Sequence, residues 1–305
     1  MTAVALLFCL TCFSCGGQSP AGPTVPTPPD PIPPGPVSPP APTPTPSIPQ
    51  IFVGAGDIGV CGGSSGATAK LLETIGGQVF TLGDNAYYSG TRQEFRDCYD
   101  PTWGRLKSRT RPVPGNHEYE SVGAAPYFEY FGASAGPSGL GYYSFELGDF
   151  WHAIALNSNI PVDSGSAQAQ WLLGDLAASR ARCTVAYWHH PLFSSGPHGD
   201  QVQMRDVWRV LYSFGADIVL AGHEHLYERF APQDPDGRAD PERGIRQFVA
   251  GTGGAPLFQF VRVRSNSEAR ISTFGVLKLT LNADAYQWEF VPASGPGDAG
   301  SGVCH

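Results

Sequence analysis

The 305-residue chain has no surplus of positive charge, since 19 Lys and Arg stand against 27 Asp and Glu for a net charge of −8. That balance excludes the broad basic footprint that nucleic acids require. It leaves a small anionic substrate open, because a site can be locally positive around metal ions. The chain also lacks a long apolar run near its N-terminus: Ala3 to Phe13 falls well short of the ~20 residues that cross hydrocarbon. No internal repeat is visible, and no composition break after Gln50 demands a second domain. What the chain has in quantity is Gly, 38, and Pro, 29, with the prolines crowded toward the N-terminus. Apolar residues make up 41%, ample for a sizeable core.

The run Ala3 to Phe13 followed by small residues resembles a secretory signal, although no Lys or Arg precedes it. Cys15, followed by Gly16 and Gly17, resembles the lipidated cysteine of a bacterial lipoprotein. The expectation is a signal over residues 1–18 and an extracytoplasmic bacterial protein, secreted or lipid-anchored, that meets a membrane only through that anchor. Residues 19–49, mostly Pro with Thr, Ser, Gly and Ala, cannot bury a core. They read as a disordered or polyproline II linker, on the order of 90 Å long if fully extended. A single globular domain is expected over 50–292, with a C-terminal tail over 293–305. Cys61, Cys98, Cys183 and Cys304 form an even set in an oxidising setting. Three connectivities are open; the favoured one pairs Cys61 with Cys98, and Cys183 with Cys304, tying the tail to the body.

Beyond Gln50, Ile51 to Ala55, Val79 to Leu82, Arg111 to Pro114, Tyr142 to Leu147, Trp151 to Leu156, Thr184 to Trp188 and Asp217 to Ala221 read as strands. Ala67 to Ile75, Gln93 to Asp97, Ala167 to Ser179 and Val202 to Phe214 read as helices. Ile245 to Ala250, Phe274 to Leu281 and Tyr286 to Val291 make a strand-rich end. This order predicts a layered α/β fold with a mixed sheet or two sheets.

Five of the strands end in polar clusters: Asp57-Ile58-Gly59, Gly83-Asp84-Asn85-Ala86-Tyr87, Asn116-His117-Glu118, His189-His190-Pro191 and His223-Glu224-His225. One such ending is ordinary turn chemistry. Five put ligand-type groups at one edge of a sheet, where open α/β folds keep their sites. Asp, Asn, Tyr and imidazole together suit first-row transition metals, and seven such donors exceed one tetrahedral ion. They suit two ions sharing a carboxylate, a recurring device for phosphoester displacement.

In this order the motifs resemble those of the calcineurin-like metallophosphoesterases, and within them most closely the purple acid phosphatases. The deciding residues are Gly59, where other branches carry a metal-binding His, and Tyr87, which those branches lack. The resemblance implies an α/β four-layer calcineurin-like sandwich of two mixed β-sheets flanked by helices, as a single catalytic domain. It implies that Asp57, Tyr87 and His225 bind a first metal, that Asn116, His189 and His223 bind a second, and that Asp84 bridges. Tyrosinate implies Fe(III) in the first site, with Zn(II), Mn(II) or Fe(II) in the second. Chemistry alone leaves His189 and His190 equal; the family's His-x-Pro pattern selects His189. His117 and His198 are the implied catalytic, substrate-side histidines, while Glu118 and Glu224 are supporting groups. The activity implied is hydrolysis of monoesters in small phosphorylated substrates; a phosphodiesterase or a non-catalytic tethered binding module are the alternatives. Asp149 and His152 read as turn and surface residues, and Asp234 to Arg238 as a polar turn, because it lacks the closing Glu of a calcium loop.

Overall fold

A computed structural model of the chain describes residues 48–305, together with Gly16 and Gly22. Apart from those two glycines and residues 48 and 49, the expected signal, Cys15 and the Pro-rich linker lie outside the described residues. In chain order the strands are β1 (Gln50–Ala55), β2 (Gln78–Thr81), β3 (Thr110–Arg111), β4 (Tyr143–Leu147), β5 (Trp151–Ala155), β6 (Cys183–Trp188) and β7 (Ile218–Ala221). They continue as β8 (Tyr227–Phe230), β9 (Arg246–Ala250), β10 (Ser267–Ile271), β11 (Gly275–Leu281), β12 (Ala285–Pro292) and β13 (Asp298–Val303). The helices are α1 (Ser65–Thr74), α2 (Arg92–Glu94), α3 (Asn116–Tyr119), α4 (Ala125–Phe131), α5 (Ala167–Ala178) and α6 (Arg205–Ser213).

Two mixed sheets result, ordered β13-β12-β11-β1-β2-β3 and β10-β8-β9-β7-β6-β5-β4. Strand alternation explains how they stack. Phe52 of β1, Tyr187 of β6, Leu220 of β7 and Leu279 of β11 face one another between the sheets. Their neighbours turn outward: Val53 and Ala55 meet α1 and α4 on one side, while Ala186, Trp188 and Val219 meet α5 and α6 on the other. The product is the four-layer α/β/β/α sandwich expected. The carboxyl ends of parallel β1 and β2, and of parallel β6 and β7, carry Asp57, Asp84, His189 and His223.

Both expected disulfides are present: Cys61–Cys98 spans 37 residues and Cys183–Cys304 spans 121. Paired cysteines of this kind belong to an oxidising compartment. Among the described residues no helix is long and apolar enough to cross a membrane.

Three expectations need correction. The tail over 293–305 is in fact structured, because β13 pairs antiparallel with β12 and closes the edge of the first sheet. His152 is not a surface residue: it is buried in β5, with Nδ1 2.8 Å from Glu146 Oε1 and Nε2 2.7 Å from Asp175 Oδ2. Its strand begins one residue after the turn and faces α5, whereas Asp149 does lie exposed in the turn. The short helix at Gln93 to Asp97 is longer, with α2 running on as a π-helix over Phe95–Tyr99 that carries Cys98. Asp234 forms the expected polar turn, accepting the Asp236 and Arg238 N–H groups at 2.9 Å each.

Candidate metal centre

The backbone sets the site before any side chain does. Asp57 N donates to Gly83 O at 3.0 Å and Ile58 N donates to Asp84 O at 2.9 Å, so the ends of β1 and β2 travel together. Asp57, Asp84 and His223 all take left-handed backbone, at φ 60°, 50° and 68°. Such positions cost about 1–3 kcal/mol each and persist where the surroundings over-determine them. Gly83, at φ 83°, leaves room that a Cβ would take 2.6 Å from His189 Nδ1. A bare turn is what lets the imidazole approach.

Seven side chains converge in two groups. In the first, the Tyr87 hydroxyl lies 2.9 Å from Asp57 Oδ1, 3.1 Å from Asp84 Oδ2 and 3.1 Å from His225 Nε2. In the second, His189 Nε2 lies 2.9 Å from Asn116 Oδ1, 3.2 Å from His223 Nδ1 and 3.3 Å from Asp84 Oδ2. Asp84 Oδ2 is common to both, and Asp84 Oδ1 is taken by His117 N–H at 2.9 Å. A phenol has one proton to give and faces three acceptors. Backbone ties also fix two tautomers: His189 Nδ1 donates to Leu82 O and His225 Nδ1 donates to Pro256 O, each at 2.7 Å. Both Nε2 lone pairs are thereby aimed inward, as metal-ligating histidines require. The donors fit two cations better than they fit one another.

Electrostatics agree. Burial favours a neutral Asp84, but His189 and His117 outweigh it and hold the carboxyl well below the usual carboxylate range. Burial, followed by the charges of Asp57 and Asp84, pushes the Tyr87 hydroxyl well above its ordinary value. The phenol therefore keeps its proton until positive charge offsets those carboxylates. Burial lowers His189, yet Asp84 and Asp57 win and lift it to about 9. Two buried aspartates thus draw positive charge to this spot.

The sequence matches the calcineurin-like phosphoesterase family over residues 52–227. The chain belongs to that family. Purple acid phosphatase 21 of Arabidopsis thaliana is 33% identical over 76% of this chain and 57% of its own length. Purple acid phosphatase 15 of the same plant is 30% identical over 60% of this chain and 41% of its own. The chain spans about half the length of these curated relatives. Among solved structures, purple acid phosphatase PPD1 from yellow lupin seeds shares the fold, with a TM-score of 0.68 at 21% identity, covering 85% of this chain and 55% of that one.

Around this cluster the remaining motif residues take distinct places. His190 packs beside the cluster, its ring 4.5 Å from that of His223 and its Nδ1 2.8 Å from the Ser158 hydroxyl, and burial followed by His189 lowers it to about 3. Its neighbour His189 is the one aimed at Asp84 and Asn116. Glu118 staples two loops, accepting the N–H groups of Asn85 at 2.8 Å, Ala86 at 3.1 Å and Gly115 at 2.7 Å. Glu224 is buried between the two motif histidines and accepts Gly199 N–H at 2.8 Å. His117 and His198 stand at the rim. His117 Nδ1 is 2.5 Å from Tyr88 O, leaving Nε2 3.8 Å from Asp84 Oδ2. The His198 ring lies 4.4 Å from that of His223, with Nδ1 3.4 Å from Glu224 Oε2. One wall escaped the sequence reading. Phe258 stacks on His225 with ring centroids 4.1 Å apart and planes within 6°, and it sits in no motif or periodic run.

Proposed function

We propose that this centre holds two metal ions and hydrolyses phosphate monoesters, as the purple acid phosphatase resemblance implies. The observation that supports it most is the pair of donor groups sharing Asp84 Oδ2. Asp57, Tyr87, His225 and Asp84 would hold the first ion, and Asn116, His189, His223 and Asp84 the second. Tyr87, as a phenolate, favours Fe(III) in the first position, with Zn(II), Mn(II) or Fe(II) in the second. When bound, such a pair supplies Lewis acidity toward phosphate oxygens and lowers the pKa of an attacking water.

The chain's own groups do the rest. His117 Nδ1 donates to Tyr88 O, which turns Nε2 toward the phosphoryl position, and in its imidazolium form that nitrogen donates to a phosphoryl oxygen and stabilises charge developing there. His198, backed by the buried Glu224, is placed to hand a proton to the departing alkoxide. Leu82 O and Pro256 O keep the ligand imidazoles oriented throughout. The two disulfides support an extracytoplasmic site of action.

The test is metal analysis of the purified protein with a visible spectrum, alongside hydrolysis of an aryl phosphate and a bis-aryl phosphate. Two metals per chain, a tyrosinate-to-iron band and preference for the monoester are expected. One metal per chain, or none, overturns the two-ion reading. Preference for the diester moves the substrate class, and a colourless active protein removes the iron.

A further inference from the structure

The loop after β9 approaches the rim from the side of His198. Phe258 N donates to His225 O at 2.9 Å, and Val261 N donates to Ser195 O at 3.1 Å. Arg264 N donates to Ser195 Oγ at 2.9 Å. Between these ties stands Arg262. Its guanidinium fills the space over Gly199, the residue after His198, so closely that a Cβ built there would lie 2.5 Å from Arg262 Nη2. Gly199 has φ 72°, and its N–H is held by Glu224, so the gap is part of the built site.

Arg262 has little else to do. Among the described residues its one ion pair is Asp200 Oδ1 at 3.8 Å, and its side chain is 49% exposed. Asp200 is committed elsewhere, accepting Ser194 N–H at 3.1 Å and pairing with Arg264 at 2.9 Å. A guanidinium with fixed planar donors and a weak partner is suited to bidentate recognition of an anionic group. The His198 ring lies 4.4 Å from that of His223, and Arg262 meets the very next residue, Gly199, so its guanidinium stands on the His198 side of the cluster.

We propose that Arg262 is a specificity-determining residue that reads a second anionic group on the substrate. The favoured class is then a phosphate ester or anhydride whose leaving group carries its own phosphate or carboxylate. The inference rests on the phosphatase reading above.

The experiment compares wild type with R262A and R262K, using 4-nitrophenyl phosphate and inorganic pyrophosphate as the two substrates, with melting temperatures as the control for folding. R262A should lower the ratio of kcat/KM for pyrophosphate to that for 4-nitrophenyl phosphate about tenfold or more, the scale of one charge-assisted contact. The loss should fall mainly in KM, and R262K should recover part of it. A ratio within about twofold of wild type, no more than a surface ion pair is worth, overturns the inference, as does a wild type that cleaves only the aryl ester. A wild type that cleaves neither substrate overturns the phosphatase reading itself, and the role of Arg262 falls with it.

Discussion

Among the described residues, the histidine–carboxylate clusters at His152 and at Asp84 are built in opposite ways. At His152, each imidazole nitrogen is consumed by its own carboxylate, Glu146 on one side and Asp175 on the other. Nothing is left over, so the cluster is a bridge from β4 through β5 to α5. At the proposed metal centre, His189 and His225 spend their outer nitrogens on the Leu82 and Pro256 carbonyls and aim the inner ones toward Asp84, Asp57 and Tyr87. The clamp spends both imidazole nitrogens on carboxylates, whereas the other cluster turns its inner nitrogens toward one point. Convergence, held by backbone ties, is what separates a ligand site from a clamp.

The largest effect should come from removing the group both donor sets share. Asp84→Asn keeps the shape and one acceptor for His117 N–H, but removes the buried charge. Loss of both metals and a fall in turnover on the order of 10²–10³-fold or more is expected, the scale of losing one preorganised electrostatic group. Metal content and kcat read it directly. His152→Ala, measured beside it, should keep wild-type metal content. Equal metal loss in both variants would erase the distinction between the clusters.

How far the sequence announces each cluster follows from the same contrast. Asp57, Asp84, His189 and His223 each follow a buried apolar run, so their placement at one rim was legible from strand endings. The layered fold was legible for the same reason. The His152 clamp was hidden because Asp175 lies 23 residues away on a helix, and no local pattern couples them. Strand β13 was hidden by composition. Its Gly300 and Gly302 read as tail, yet they make room for aromatic rings across the ladder, where a Cβ would lie 2.2 Å from Trp288 Cζ2 and 2.4 Å from Tyr286 Cζ. Phe258 reaches His225, and Arg262 reaches Gly199, through a loop whose course is set by Ser195 and His225, which no periodicity encodes.

The disulfides sharpen the comparison at the next scale. Cys61–Cys98 ties the turn after Asp57 to the π-helix after Tyr87, whereas Cys183 opens β6 at the end away from His189. Loop-closure entropy gives about 4 kcal/mol for the 37-residue span and about 5 kcal/mol for the 121-residue span. Replacing each pair by Ser should therefore cost more stability at Cys183–Cys304, but more metal retention at Cys61–Cys98. Denaturant titration and metal analysis of the two double variants check both halves. If both lose metal equally, the first disulfide has no special hold on the centre.

The smallest effect belongs to the clamp itself, and its pH dependence identifies it. Burial lowers the His152 pKa, but Asp175 and Glu146 outweigh it and raise it above its ordinary value. Burial raises Asp175, but His152 and the Ser144 hydroxyl, 2.6 Å away, bring it below the ordinary carboxylate value. The histidine contribution is then full below about pH 6.5, the unfolded value, and is lost as pH rises through the higher folded value. The Asp175 contribution is present above about pH 3.9 and is lost as pH falls through the lower folded value. The clamp should be strongest between these limits. His152→Ala should cost about 2–3 kcal/mol there, the worth of hydrogen bonds to charged groups, and less in alkaline solution. Urea unfolding of both proteins from mildly acid to alkaline pH measures the difference. A cost that stays constant with pH would mean that His152 fills space without bridging charge, and the two clusters would then differ in kind as well as in direction.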